Sequence, residues 1–187
     1  MGASWPRRSR LALRVMAGLC AATPLHATAA EDTEARRGFI ERYHCELTTR
    51  LAMIRDTPAA KDKFLTIFPK AKRGVYVQCL FNEEGDQVYC EASSGYYRAP
   101  AGETWAPDMP QTAVSALKSL GFETNIERGN FWQEMAITGG GDLDDVADLM
   151  LGALFDAYGV RLGLTLDIRA PLADLDGLRL PTCTPSS

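Results

Sequence analysis

The chain has 187 residues, of which 24 are acidic and 20 are Lys or Arg, and its formal net charge is −4. Four of the arginines lie within the first 30 residues, which contain no Asp or Glu, so the rest of the chain carries a formal charge of −8. This excess of negative charge excludes nucleic acid and anionic membrane surfaces from the expected partners, because both repel an acidic protein.

The first 30 residues have the three parts of a secretory signal peptide. The four arginines precede or interrupt an apolar run over residues 11–22, and a small-residue sequence, ATAA, follows at residues 27–30. The apolar run is too short for a transmembrane helix, which excludes a membrane anchor. The small residues that follow it are typical of a signal-peptidase site, so we predict cleavage near Ala29 or Ala30. The mature protein is expected in the periplasm or outside the cell, with no membrane span.

Residues 31–187 are enough for one domain with a hydrophobic core, with a C-terminal tail from about residue 169. They contain an even number of cysteines, which indicates two disulfides in an oxidising compartment, with three possible pairings. A metal site built from all four is the alternative, but no two of them have the close CxxC spacing that such sites use. The four are Cys45, Cys79, Cys90 and Cys183.

Residues 75–97 predict a β-hairpin with one cysteine in each strand. Apolar and polar residues alternate on both sides of a turn at residues 82–86, as they do in half-buried strands. Matching the two apolar sets requires a two- or four-residue loop and places Cys79 directly opposite Cys90. The Asn-x-x-Gly turn also suits a three-residue bulged loop, which would put these cysteines on opposite faces. We favour the first register, because a slip of one residue would turn one apolar set toward water; the other two cysteines would then form the second pair.

The remaining elements predict an α+β fold. Residues 31–55 have the apolar spacing of a helix packed on one side. Residues 63–68 fit either a short helix that begins at Thr57-Pro58 or a strand. We favour a strand that extends the hairpin to a meander, because Pro69 follows directly and the residues are largely aromatic or β-branched. A second helix is expected to begin after a cap at Asp108 and to end at Gly121.

A second hairpin is predicted from two alternating arms, residues 122–126 and 131–137. A third helix follows a run of three glycines, with Asp142 as its N-cap and Gly159 at its end. Residues 160–168 alternate as a strand does, although an extended tail fits them too. The predicted fold is therefore a helix, a three-stranded antiparallel meander, a helix, a β-hairpin and a helix, packed as a single sheet with helices on one face.

Residues suited to catalysis are few. His26 lies within the predicted signal peptide, and we interpret His44 as a partly buried helix residue rather than as part of a Ser–His–Asp or Cys–His site. No GxSxG nucleophile motif is present. The acidic residues at 142–148 suit helix capping, would repel a phosphate, and lack the spacing of an EF-hand loop. We predict no catalytic residues, no cofactor and no bound metal.

The connection between residues 94 and 109 is the candidate for binding, because long loops on a rigid scaffold often carry binding residues. Its aromatic rings would grip a peptide or protein segment, or they would fold back onto the open face of the sheet, which we regard as the commoner arrangement. Trp132, on the second hairpin, allows the same two interpretations. The candidate binding residues are Tyr96, Tyr97, Arg98, Trp105 and Trp132.

The order of elements resembles the type III secretion chaperone-like fold, which includes the YbjN-like and TY-Chap families. Three segments carry the resemblance: YVQCLF at residues 76–81, ALKSLGF at 116–122, and DLDDVADLMLGALFDAYGV at 142–160. The resemblance covers roughly residues 31–160, most of the mature chain, and implies protein binding without catalysis, often as a dimer. It assigns no individual binding residue. The predicted export and the cysteines depart from the cytoplasmic secretion chaperones.

The sequence therefore predicts a non-catalytic, exported module that binds another protein or peptide as a chaperone, an inhibitor or an accessory subunit. A homodimer is a further possible assembly. A small-molecule or metal-ion binding module and an enzyme of unrecognised type are the alternatives.

Overall fold

The computed structural model describes residues 29–58, 61–98 and 109–173. Within these ranges lie three helices and five strands. Helix α1 spans Ala29–Asp56, α2 spans Gln111–Ser119 and α3 spans Gly141–Gly152; strands β1 to β5 span Phe64–Pro69, Val77–Phe81, Gln87–Ala92, Phe131–Ala136 and Leu166–Arg169. Short 3-10 turns at Tyr96–Arg98 and Pro171–Ala173 and a π-helical turn at Ala153–Ala157 complete the described elements.

The five strands form one antiparallel sheet in the order β4-β3-β2-β1-β5. Strands β1, β2 and β3 are the predicted meander. Of residues 160–168, which the sequence pattern assigns to a strand or a tail, only the last part enters the sheet, because β5 begins at Leu166 and pairs with β1. Leu162, earlier in that alternation, is 51% exposed. The predicted α+β fold, with a single sheet and helices packed on it, is confirmed.

The register of the first hairpin is the one that the apolar alternation favours. Cys79 lies opposite Cys90, and the two are joined by a disulfide. The Asn82 backbone N–H donates to the Gln87 carbonyl oxygen (3.0 Å), so the loop between them has four residues. The side-chain Oδ1 of Asn82 accepts hydrogen bonds from three backbone N–H groups of the turn, where Gly85 has a φ of 78°. The three-residue bulged loop is therefore not formed.

The second predicted hairpin is only partly formed. Its first arm, residues 122–126, contains no strand, and one bridge joins Glu123 to Trp132, whereas β4 pairs with β3 along its whole length. The reason lies at the end of α2, where the Phe122 N–H donates to the Leu117 carbonyl oxygen (3.1 Å) and the Phe122 ring is buried. This Schellman cap holds the start of the first arm to the helix, so that arm meets one edge of β4 at a single bridge, and the other edge of β4 pairs with β3.

The two predicted side-chain caps also need correction. Helix α2 has Pro110 at its N-cap, with no side-chain cap, and the predicted cap Asp108 lies outside the described residues. Helix α3 begins within the glycine run with Gly140 as its N-cap, so Asp142 belongs to the first turn. The Asp142 carboxylate accepts hydrogen bonds from the preceding turn, and the bond from the Thr138 backbone N–H is the main cause that lowers the pKa of Asp142.

The helices cover one face of the sheet. The rings of Phe39 in α1 and Phe155 in the π-helical turn lie 5.7 Å apart, measured between centroids, and join the helices in the core. The π-helical turn is followed by Gly159, whose φ of 62° favours glycine. No described helix is long and apolar enough to cross a membrane. The buried strand residues that face the helices are Leu65, Ile67, Val77, Cys79, Phe81, Val88, Cys90, Ala92 and Phe131.

Candidate functional site

The alternate strand residues form the second face of the sheet, which we call the open face. Successive side chains of a strand point to opposite faces, so these residues point away from the helix-covered core. They are aromatic, aliphatic and charged side chains that remain partly or largely exposed, unlike the buried set on the other face. The open face comprises Phe64, Thr66, Phe68, Tyr76, Gln78, Leu80, Gln87, Tyr89, Glu91, Trp132, Glu134, Ala136, Asp167 and Arg169.

Four aromatic residues gather at the β3–β4 end of the open face, and we call this group the aromatic ledge. The Trp132 ring stacks on Tyr89, with centroids 5.9 Å apart and planes inclined by 19°. Tyr96 and Tyr97 meet edge to face at 5.2 Å. Tyr97 is 71% exposed and Trp132 is 37% exposed, both high for large apolar side chains. The ledge therefore presents ring surface to solvent on a fixed strand framework.

A buried hydrogen-bond network ties the ledge to the sheet. The Ser94 hydroxyl donates to the Gly129 carbonyl oxygen (2.6 Å) and accepts from the Tyr96 N–H (3.1 Å). The Asn130 side chain accepts from the Ser94 N–H (3.3 Å) and donates to the Tyr76 hydroxyl (2.6 Å). Ser94 and Asn130 are both buried. The turn after β3 and the turn before β4 are thus held together, and the Tyr97 hydroxyl lies near Gly129, just before β4.

The ledge lies in an acidic environment. Glu91 lies opposite Trp132, and Glu134 lies opposite Tyr89. Burial raises the pKa of the Tyr89 phenol, and the neighbouring charges of Glu91, Glu134 and Tyr97 raise it further. Burial also raises the pKa of Glu91, while a hydrogen bond from the side chain of Asn130 acts in the opposite direction. A ligand group at this end of the face therefore meets aromatic rings and negative charge.

The other end of the open face contains a cavity of about 600 Å³, which we call the β1–β2 cavity. Its volume falls within the ~300–1,000 Å³ typical of ligand sites. Thr66 donates a hydrogen bond to the Gln78 side chain (2.8 Å) within the lining. The apolar lining comes from Phe64, Phe68, Pro69, Val75 and Tyr76, and the charged lining residues are Lys70, Lys72, Arg73 and Arg169.

The structure brings together some of the predicted binding residues and omits others. Tyr96, Tyr97 and Trp132 lie together in the ledge, and their role in binding stays a prediction. Arg98 completes the 3-10 turn with its backbone, and Trp105 lies outside the described residues. Neither Tyr89 nor the cavity is among the predicted sites. The run of basic residues at 70–73 and the aromatic residues at alternate positions of β1 were the signals available in the sequence.

The residues considered for chemistry lie elsewhere. His44 is in α1, and its Nε2 atom lies 3.4 Å from Asp148 and 3.8 Å from Asp144 in α3; its side chain is 27% exposed, which agrees with the partly buried helix residue predicted. No three potential metal ligands of the His, Cys, Asp and Glu types cluster within the described residues. Cys45 is disulfide-bonded, and its predicted partner Cys183 lies outside the described ranges.

The architecture is α+β: an antiparallel sheet with helices on one face and aromatic residues on the open face. The model of the family described as "T3SS (YopN, CesT) and YbjN peptide-binding chaperone 3", or TY-Chap3, matches residues 41–171. The chain belongs to this family, and the resemblance found in the sequence is confirmed. Membership implies a chaperone-like, peptide-binding module with a protein partner. No curated protein and no solved structure matches the chain significantly.

Proposed function

We propose that this protein is a non-catalytic, exported polypeptide-binding module, acting as a chaperone or accessory subunit, and that the aromatic ledge is its contact surface. The observation that carries the proposal is the stacked pair of Trp132 and Tyr89 beside the exposed Tyr97, on the open face of a peptide-binding family fold. Trp and Tyr are the residues that most often dominate protein interfaces, because each buries a large rigid surface at a small entropy cost.

The fixed position of the ledge supports binding rather than mere coverage of the sheet. Ser94 and Asn130 anchor the backbone on both sides, so little backbone freedom is left to lose when a ligand contacts the rings. A contact surface that is ordered before binding retains more of its interaction free energy as affinity.

Export is supported by the signal-peptide pattern of the first 30 residues and by the Cys79–Cys90 disulfide, since disulfides persist mainly in oxidising compartments. N-terminal sequencing of the protein recovered from a periplasmic fraction tests this part. A mature N-terminus at residue 30 or 31 supports it, and an intact Met1 in a cytoplasmic fraction overturns it.

Binding is tested with a panel of fluorescent 12-residue peptides: three with alternating apolar residues plus Glu, Gln or Lys, and one that is polar throughout. We expect at least one apolar class to bind, and the Tyr97→Ala/Trp132→Ala variant to bind it about tenfold or more weakly. Leu162→Ala is the matched control, because Leu162 is an exposed apolar residue outside the strands. If no apolar peptide binds the wild-type protein, or if the ledge variant binds as well as wild type, the proposal is wrong.

A further inference from the structure

We propose that the β1–β2 cavity receives an acidic side chain of the bound polypeptide, so that the segments selected by this module combine an apolar anchor with Glu or Asp at a defined distance. This inference rests on the proposed function and adds to it the chemical class of the ligand. Three observations support it: the cavity is lined by basic residues, the chain as a whole is acidic, and the open face sets the distance between the cavity and the ledge.

The charged residues that line the cavity are all basic. Lys70 and Arg169 are exposed at the cavity, and neither makes an ion pair within the described residues. Lys72 also lines it, although its ammonium group donates to the Tyr158 and Gly159 carbonyl oxygens. The cavity therefore presents positive charge above an apolar lining that suits the stem of a Glu side chain.

This arrangement differs from the rest of the described surface, where most arginines are neutralised within the chain. Arg36 pairs with Asp156, for example, at 2.9 Å. The carboxylate nearest in sequence to Arg169 is Asp167, which lies opposite Phe68 in β1 and lines an adjoining cavity that shares Phe68 and Arg169 with the β1–β2 cavity. Asp167 does not line the β1–β2 cavity itself, and no ion pair joins it to Arg169 within the described residues. A concentration of positive charge in an acidic protein has an anionic group as its complementary ligand, and such complementarity controls specificity more than total affinity.

The geometry of the sheet sets the distance between the two ends. One cross-strand row of the open face runs from Trp132 in β4 through the middle strands to Arg169 in β5, crossing four strand intervals. Neighbouring strands lie about 4.8 Å apart, so the row is about 19 Å long, and an extended peptide covers that length with about six residues. Glu134 lies opposite Tyr89 and would repel an acidic group at the ledge, and Glu91 lies in the row between Trp132 and Gln78. The acidic group of the peptide is therefore placed at the far, basic end of the row.

The inference is tested with three labelled peptides measured by fluorescence anisotropy. The first has a Phe anchor with two Glu residues about six positions away, the second has Gln in place of Glu, and the third has the Glu residues beside Phe. We expect the first to bind about tenfold more tightly than either of the others, and the gap to the Gln peptide to shrink between 50 and 500 mM salt.

Two charge-reversal variants show whether the preference for Glu depends on the β1–β2 cavity. Lys70→Glu/Arg169→Glu reverses the cavity charge and should remove the preference for Glu. Arg42→Glu/Lys118→Glu makes the same change in net charge at exposed residues of α1 and α2, and should leave the preference intact. Both pairs are exposed, so folding is expected to survive, and far-ultraviolet circular dichroism checks this.

The peptide measurements distinguish a failure of the inference from a failure of the proposed function. If the Glu and Gln peptides bind equally, or if the cavity variant keeps its preference for Glu, the inference is wrong while the proposed function stands. Equal binding of the first and third peptides contradicts the spacing and overturns the geometry on which the inference rests. If no peptide of any kind binds, the proposed function fails first.

Discussion

The two faces of the sheet are made by the same strands, and often by adjacent residues, yet they have opposite character. Leu65 is fully buried against the helices, whereas its neighbour Phe64 lines an open cavity on the other face. Aromatic side chains on the exposed face stabilise the strands through cross-strand contacts, and they also offer rigid ring surface that a partner could bury. The difference suggests that one face maintains the fold and the other is available for a partner.

The open face is itself divided. The aromatic ledge lies beside Glu91 and Glu134, and the β1–β2 cavity is lined by lysines and arginines. A ligand that crosses the face therefore meets negative charge at one end and positive charge at the other. This polarity distinguishes the surface from a uniform hydrophobic patch, which would bind unfolded segments with little preference for sequence or direction.

The largest effect on the comparison between the faces should come from Leu65→Ala, measured against Leu80→Ala. Leu65 is fully buried on the covered face, and its loss leaves a cavity, which should cost about 3 kcal/mol in the free energy of unfolding. Leu80 is only partly buried on the open face, and the same change should cost about 1 kcal/mol or less. Urea unfolding monitored by circular dichroism measures both. Equal losses in the free energy of unfolding would contradict the idea that the covered face, rather than the open face, maintains the fold.

A somewhat smaller effect is expected from Cys79→Ala/Cys90→Ala. This disulfide joins two residues on the covered face with a sequence separation of 11. Its removal increases the conformational entropy of the unfolded chain, which should lower the free energy of unfolding by about 2–3 kcal/mol. The strand pairing should persist in the folded variant, because the residues on either side of the cysteines still match in register. Urea unfolding of the oxidised proteins gives the difference. An unchanged midpoint would show that the disulfide adds nothing to the hairpin.

The smallest effect concerns Glu91 on the open face. Burial raises the pKa of Glu91 above the ordinary 4.5. At a pH above the folded-state pKa, the buried carboxylate is ionised and lowers the free energy of unfolding. This loss of stability disappears as the pH falls through the folded-state pKa and below 4.5, where the group is protonated in both states. Glu91→Gln should therefore raise the melting temperature slightly at pH 7, with the gain vanishing near pH 3. Glu134→Gln, at an exposed position, should show no such gain. If the gain for Glu91→Gln is the same at both pH values, burial of the ionised carboxylate is not its cause.

Sequence patterns were sufficient wherever the interaction is local or follows strict alternation. The parity of apolar residues placed Cys79 opposite Cys90, because a slip of one residue would expose an entire apolar set. The end of α2 at Gly121 was equally visible, because its φ of 97° is one that few other residues adopt. The family resemblance followed from the order of such elements.

The main error concerns the residues that follow α2. The residues after Gly121 alternate like a strand, but the cap at Phe122 holds them to α2, so they meet β4 at a single bridge, while the other edge of β4 pairs with β3. That pairing brings Trp132 onto Tyr89 and creates the aromatic ledge. Local alternation determines which face of a strand is apolar, but it contains no information about which strand edges meet.

The amino-acid pattern thus determined the helices, the meander, the hairpin register and the family. The tertiary structure alone decided which open-face residues become neighbours. The β1–β2 cavity needs side chains from β1, β2, β5 and the connection before β2, and Arg169 reaches it only because β5 pairs with β1 from about 100 residues away in sequence. Charge along the chain was visible from the start, but its concentration in one cavity results from strand order, which depends on the packing of the whole domain.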